Sequence, residues 1–387
     1  MVGAAGPAAR TGRPTKTSPA RGRVFARALF GALAGVSLVG GIAGGLWRLG
    51  VAVPDPLSFA AAGQLLLVHA ALMICGFLGT AIGIERAVAV KHRWALAAPL
   101  ASGTGALCLA FGQQAAGAWL GVAAAVFFLA VNALVVWRQR AAHTLLLAVG
   151  AAAWVAGNLL FALGRDGGAV FPWWFAFLVM TIAAERLEMT RLMRRRPAAS
   201  LTLHAVLALL LAGAACSGLA PRAGGLVYGA ALALLAVWLA VFDIARRTVF
   251  THGISRYMAV CLLGGYAWLG IAGAAWAAAA LGGPTRDIAL HALGLGFVIS
   301  MVMGHAPVVL PAIARIKLRF GTFFYLPLAT LHLSLFVRLV LGSFSDPLRA
   351  AGASLNAAAI AFFAVTVAGA AVAWRIQHGA EGARKAR

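Results

Sequence analysis

Acidic residues are scarce in this 387-residue chain, with nine Asp and Glu against 32 Lys and Arg and a formal charge of +23. Charged residues of both signs make up 11% of it and hydrophobic residues 63%. Soluble domains run near a quarter charged and half apolar, so an ordinary soluble fold is excluded. The short alternating segments of a membrane β-barrel are missing too, since blocks such as 201–213 and 351–373 do not alternate in polarity. Cysteine offers little. Cys75, Cys108, Cys216 and Cys261 lie inside apolar blocks without CxxC spacing, which removes a zinc site and reads as small core residues.

What remains is a series of apolar runs, each near the roughly 20 residues that a helix needs to cross a bilayer. They fall at 24–49, 58–85, 94–113, 118–137, 143–163, 170–189, 201–220, 224–244, 257–281, 288–313, 322–341 and 351–374. The fold class expected is therefore an all-α polytopic membrane protein of about 12 transmembrane helices. Residues 1–23 read as a disordered basic cytoplasmic tail that is not cleaved. Residues 24–374 read as a single membrane domain, and 375–387 as a second cytoplasmic tail.

Loop charge tests that count. Arg86, Lys91 and Arg93 follow the second run, Arg138 and Arg140 the fourth, and Arg186, Arg191 and Arg194 to Arg196 the sixth. Arg246, Arg247 and Arg256 follow the eighth, and Arg315, Lys317 and Arg319 the tenth. The opposite connections hold Asp55, Asp166, Asp287 and Asp346 and little basic charge. Basic residues confined to alternate loops predict both termini in the cytoplasm. They also explain the net charge without a nucleic-acid partner; the partner expected is lipid. The similar ends of the second, sixth and tenth runs, including Ile84-Glu85-Arg86 and Ala184-Glu185-Arg186, raise the idea of three units of four helices.

Of nine histidines, His69, His291, His305 and His332 fall inside apolar runs. Alone, each reads as a neutral imidazole bonded to a neighbouring helix; four on three helices point to a buried cofactor or metal. His69 lies about 33 Å of helix outward from Lys91, and His291 about 36 Å outward from Arg315. The two share a height and could clamp a planar haem from opposite faces. His305 and His332 lie deeper, within about 5 Å of each other in height, and could form a second metal site. Met301 and Met303 beside His305 would suit copper, although ordinary packing explains them as well. Arg338 could pair with a haem propionate; by itself it reads as snorkelling to the interface.

A resemblance enters at these residues. His69-Ala70-Ala71-Leu72-Met73 resembles the second-helix haem-ligand region of haem-copper oxidase subunit I. The stretch from His291 to Pro311 resembles that family's tenth helix, and is closer still to the NnrS family of twelve-span bacterial membrane proteins. That resemblance implies a haem, of b type by expectation, with copper as a further possibility and His69, His291, His305 and His332 as candidate ligands. It also implies the bacterial inner membrane, a small gas or redox molecule as partner, and a role in nitric-oxide or denitrification stress. The chain departs from both patterns. Ala71 stands where NnrS-like proteins tend to carry a second histidine. The adjacent His-His pair of the oxidases is absent, and the sixth run has Trp173 and Trp174 but no histidine. A proton-pumping, oxygen-reducing oxidase is thus not expected, and whether the chain is an enzyme stays open. The alternative reading is a twelve-span secondary transporter, against which stands the lack of Asp or Glu at helix centres.

Overall fold

A computed structural model describes residues 19–53, 59–189 and 197–385, and among them every regular element is helical. In chain order they are α1 (Pro19–Trp47), α2 (Phe59–Ala71), α3 (Thr80–Val90), α4 (Ala97–Ala110), α5 (Gln114–Arg138), α6 (Ala142–Ala162) and α7 (Gly167–Met189). Then come α8 (Pro197–Ser217), α9 (Pro221–Phe242), the single turn α10 (Ala245–Thr248) and α11 (Gly253–Ala280). The last are α12 (Arg286–His291), α13 (Ser300–Ala314), α14 (Tyr325–Leu335) and α15 (Asp346–Lys385). Asp55, Arg191, Arg194 to Arg196 and residues 1–18 of the expected tail lie outside the described residues. The first helix begins at Pro19, inside the stretch read as a tail, and the last runs past residue 374 to Lys385.

Among the described residues, eleven helices are long and apolar enough to cross a membrane, which suits a lipid bilayer. The difference from twelve lies at 94–113. That stretch forms one 3-10 turn, Arg93–Leu96, followed by α4, whose 14 residues fall short of a span by themselves.

Among the described residues, three of the helices contain a π-helical segment. Leu72–Gly79 joins α2 to α3 as a π-helix, Ala292–Ile299 joins α12 to α13 in the same way, and Phe336–Val340 continues α14. The first two composite helices also end alike, on a basic residue in the left-handed conformation: Lys91 at φ 60° and Arg315 at φ 55°. L-residues other than Asn and Asp seldom adopt that conformation, so its recurrence marks the two helices as counterparts. α7, the sixth run, contains no such segment.

The buried core is centred on α7, where 78% of the apolar window is inside the protein, against 11% for α15. Trp154 of α6 and Phe177 of α7 stack with ring centroids 4.7 Å apart, and Phe128 of α5 meets both edge-on. Small residues let the helices approach. A Cβ at Gly79 would stand 2.6 Å from Cζ2 of Trp154, and one at Gly44 would strike the Leu65 carbonyl.

Candidate functional site

The π-helical segments share a destination. His69 lies just before the first, His291 is the residue before the second, and Arg338 lies within the third. π-helices are rare and tend to occur at functional positions, where the extra residue re-aims the side chains beside it. Here they converge on one cluster. The rings of His69 and His291 face each other with centroids 6.2 Å apart and planes 23° apart.

Hydrogen bonds decide the tautomers. Nδ1 of His69 lies 2.6 Å from the Gly41 carbonyl of α1. A carbonyl only accepts, so Nδ1 carries the proton and Nε2 keeps its lone pair. Nδ1 of His291 lies 2.9 Å from Oδ1 of Asp287 and 3.0 Å from the Asp287 carbonyl, with the same consequence. Arg338 binds that carboxylate through two bonds, Nη2 to Oδ1 at 2.9 Å and Nε to Oδ2 at 3.3 Å. Nη2 is also 3.3 Å and 3.1 Å from the two ring nitrogens of His291. An atom nearly equidistant from both nitrogens at that range would collide with Cε1 if it lay in the ring plane. Nη2 of Arg338 therefore sits over the face of the imidazole, within reach of Nε2.

Both remaining histidines are committed elsewhere. Nδ1 of His305 donates to the Met301 carbonyl at 2.6 Å, and its Nε2 accepts from Nη2 of Arg186 at 2.6 Å. Nδ1 of His332 accepts from the indole of Trp268 at 2.8 Å, which puts the ring proton on Nε2. Among the described residues no bond or ring contact joins His305 to His332. The structure thus brings His69, His291 and Arg338 together and gives His305 and His332 separate polar partners. Arg338 does not snorkel; its side chain is 9% exposed and paired with Asp287. Cys75 is unpaired with any other cysteine and lies 3.5 Å from Oδ1 of Asn158, a contact between neighbouring helices. Asn132 instead bonds its own helix.

The residues fit an imidazole-ligated group. Two neutral imidazoles present Nε2 lone pairs, and each Nδ1–H is held by an oxygen, the arrangement that orients metal-binding histidines. Beside them lies a small hollow lined by Gly45, Met73, Leu295, Arg338, Asn356 and Ile360. Oδ1 of Asn356 is buried there without a hydrogen bond. Asp287 and Asn356 were not evident as site residues from sequence, though Asp287 stands four residues before His291, the spacing that puts both on one helix face.

Neither a curated protein nor a solved structure matches the chain. A family described as a domain of unknown function, DUF8744, matches residues 27–372, a stretch that contains every residue of this cluster, and the chain belongs to that family.

Proposed function

We propose that the chain is a haem-binding membrane protein in which His69 and His291 ligate the iron. The observation that carries this reading is the pair of imidazoles with ring centroids 6.2 Å apart, whose Nδ1 atoms are both anchored by oxygens. Haem suits a site with two protein donors, because the macrocycle supplies the others; bare zinc or copper asks for more ligands from the chain. His305 and His332 are then structural, and copper is no part of this reading. Bound haem would supply redox chemistry. The chain's own residues orient the imidazoles, and Arg338 and Asn356 offer polar contacts at the rim.

The same proposal takes twelve spans with both termini in the cytoplasm. The 3-10 turn and α4 together cover roughly 29 Å, which is close to the hydrocarbon thickness. A bacterial inner membrane and a part in nitric-oxide or denitrification stress follow from the resemblance to NnrS and rest on it alone.

The test is an absorption spectrum of the detergent-purified protein expressed with haem available. The expected Soret band disappears in both His69→Ala and His291→Ala. A folded wild-type protein without a band overturns the reading, and a band that survives either substitution overturns the ligand assignment. One observation favours a second reading, a secondary transporter: helices interrupted by π segments meet at the charged Asp287–Arg338 pair. Solute flux in proteoliposomes, abolished by Arg338→Ala in a protein without a chromophore, would select it.

A further inference from the structure

The two imidazoles are backed differently. Behind His69 is an uncharged carbonyl, that of Gly41, whereas behind His291 is the carboxylate of Asp287. A carboxylate that accepts the Nδ1–H of a ligating imidazole pushes electron density toward Nε2 and makes it a stronger donor. Arg338 acts in the opposite sense. Its guanidinium binds the same carboxylate and lies over the face of the same ring, so its positive charge draws density back. Both groups are held rigidly relative to His291. Asp287 sits one turn away on α12, and Arg338 projects from a π segment with its side chain nearly buried.

We infer that Asp287 and Arg338 are positioning residues that tune the donor strength of His291 in opposite directions. The inference rests on the haem reading, in which His291 is a ligand. A carboxylate-backed imidazole favours the oxidised iron, and a cation over its face favours the reduced iron. Asp287→Asn keeps a hydrogen-bond acceptor of the same shape and removes only the charge. Arg338→Gln removes the opposing charge and leaves the carboxylate.

The experiment is a reductive titration of the haem-loaded protein followed in the visible spectrum, for the wild type and both variants. Asp287→Asn shifts the midpoint potential upward and Arg338→Gln shifts it downward. Asp287→Glu, which restores the charge, brings it back toward the wild-type value. A merely structural role predicts no such opposition of sign. Loss of the carboxylate also weakens haem retention, by about 10–100-fold on the usual scale of such contacts. Potentials that stay put, or move in the same direction, with the band intact overturn this inference alone. A wild-type protein with no band overturns the haem reading and this inference together. If Asp287→Asn does not accumulate, Arg338→Gln decides by sign: a downward shift supports the inference, and an upward shift or none overturns it.

Discussion

Trp268 gives its indole proton to Nδ1 of His332 across 2.8 Å, with the two ring planes 2° apart. That bond fixes the tautomer of a histidine which, by depth alone, looks as eligible for a ligand as any other. His332→Phe is expected to leave the cofactor band intact while stranding the indole N–H. The cost is about 1–3 kcal/mol, read as a lower unfolding temperature in detergent. His305→Gln should also retain the band. Loss of the band in either variant would mean that the ligand set has been misassigned.

Gly45 packs against the His69 ring, where a Cβ would come within 2.8 Å of Cε1. Gly45→Ala is expected to turn the imidazole away from its carbonyl anchor, with an overpacking cost of about 1–3 kcal/mol. The band should shift or weaken relative to the wild type. An unchanged spectrum would show that the ring orientation seen here is not the one that binds.

The Asp287–Arg338 pair makes a stability prediction independent of any cofactor. Arg338→Ala leaves a carboxylate that is one-third exposed without its cation, at a cost of about 1–3 kcal/mol. Removing both partners should cost less than the sum of the single losses, because the two groups are in direct contact. Additive losses in a thermal double-mutant cycle would show that the bonds do not persist in detergent.

Cysteine labelling tests the topology, using a variant that lacks the four native cysteines. Leu219 and Phe250 are 90% and 84% exposed in the connections after α8 and α10. Leu219→Cys should react with an impermeant maleimide on intact spheroplasts, and Phe250→Cys only after permeabilisation. Phe111, at the end of α4 and 70% exposed, is the decisive position. If α4 crosses, Phe111→Cys labels from outside; labelling only after permeabilisation would leave eleven spans.

Asp243, just beyond the end of α9, is 2% exposed, and burial raises its pKa despite the Ala245 N–H at 2.7 Å and the nearby Arg186. A carboxyl whose folded pKa lies above its unfolded value favours the fold most while protonated. Its contribution falls as pH rises from the unfolded value through the folded one. Asp243→Asn should therefore flatten the decline of unfolding temperature between acid and neutral pH. Equal slopes for the two proteins would remove Asp243 from that account.

The apolar runs, the loop charges and the shared height of His69 and His291 were legible because each depends on counting along one helix. What joins the cluster depends on rotation around the helix, and there composition is silent. The segments LMICGFLG and ALGLGFVI read as ordinary α-helix, yet both adopt π geometry that re-aims the neighbouring histidine. His305 and His332 illustrate the same limit, being alike in depth but directed to Arg186 and Trp268. Asp287 was visible as an acidic residue of a weakly basic connection; only its place on the helix face beside His291 makes it part of the site. The shortness of α4 followed from its helical start at Ala97, where a hydropathy average places the run three residues earlier.

The carbonyl that aims His69 belongs to α1, a helix with only 28% of its apolar stretch buried inside the protein. The ring is therefore tethered to a lightly embedded flank of the bundle rather than to its rigid centre. Any force that tilts α1, such as a thinner bilayer or a neighbour pressing on that flank, reaches the imidazole through the Gly41 hydrogen bond and the packing of Gly45 against the ring. His291 is bonded instead to Asp287 and Arg338, so such a tilt would change the spacing between the two rings and couple the state of the surrounding lipid to the cluster.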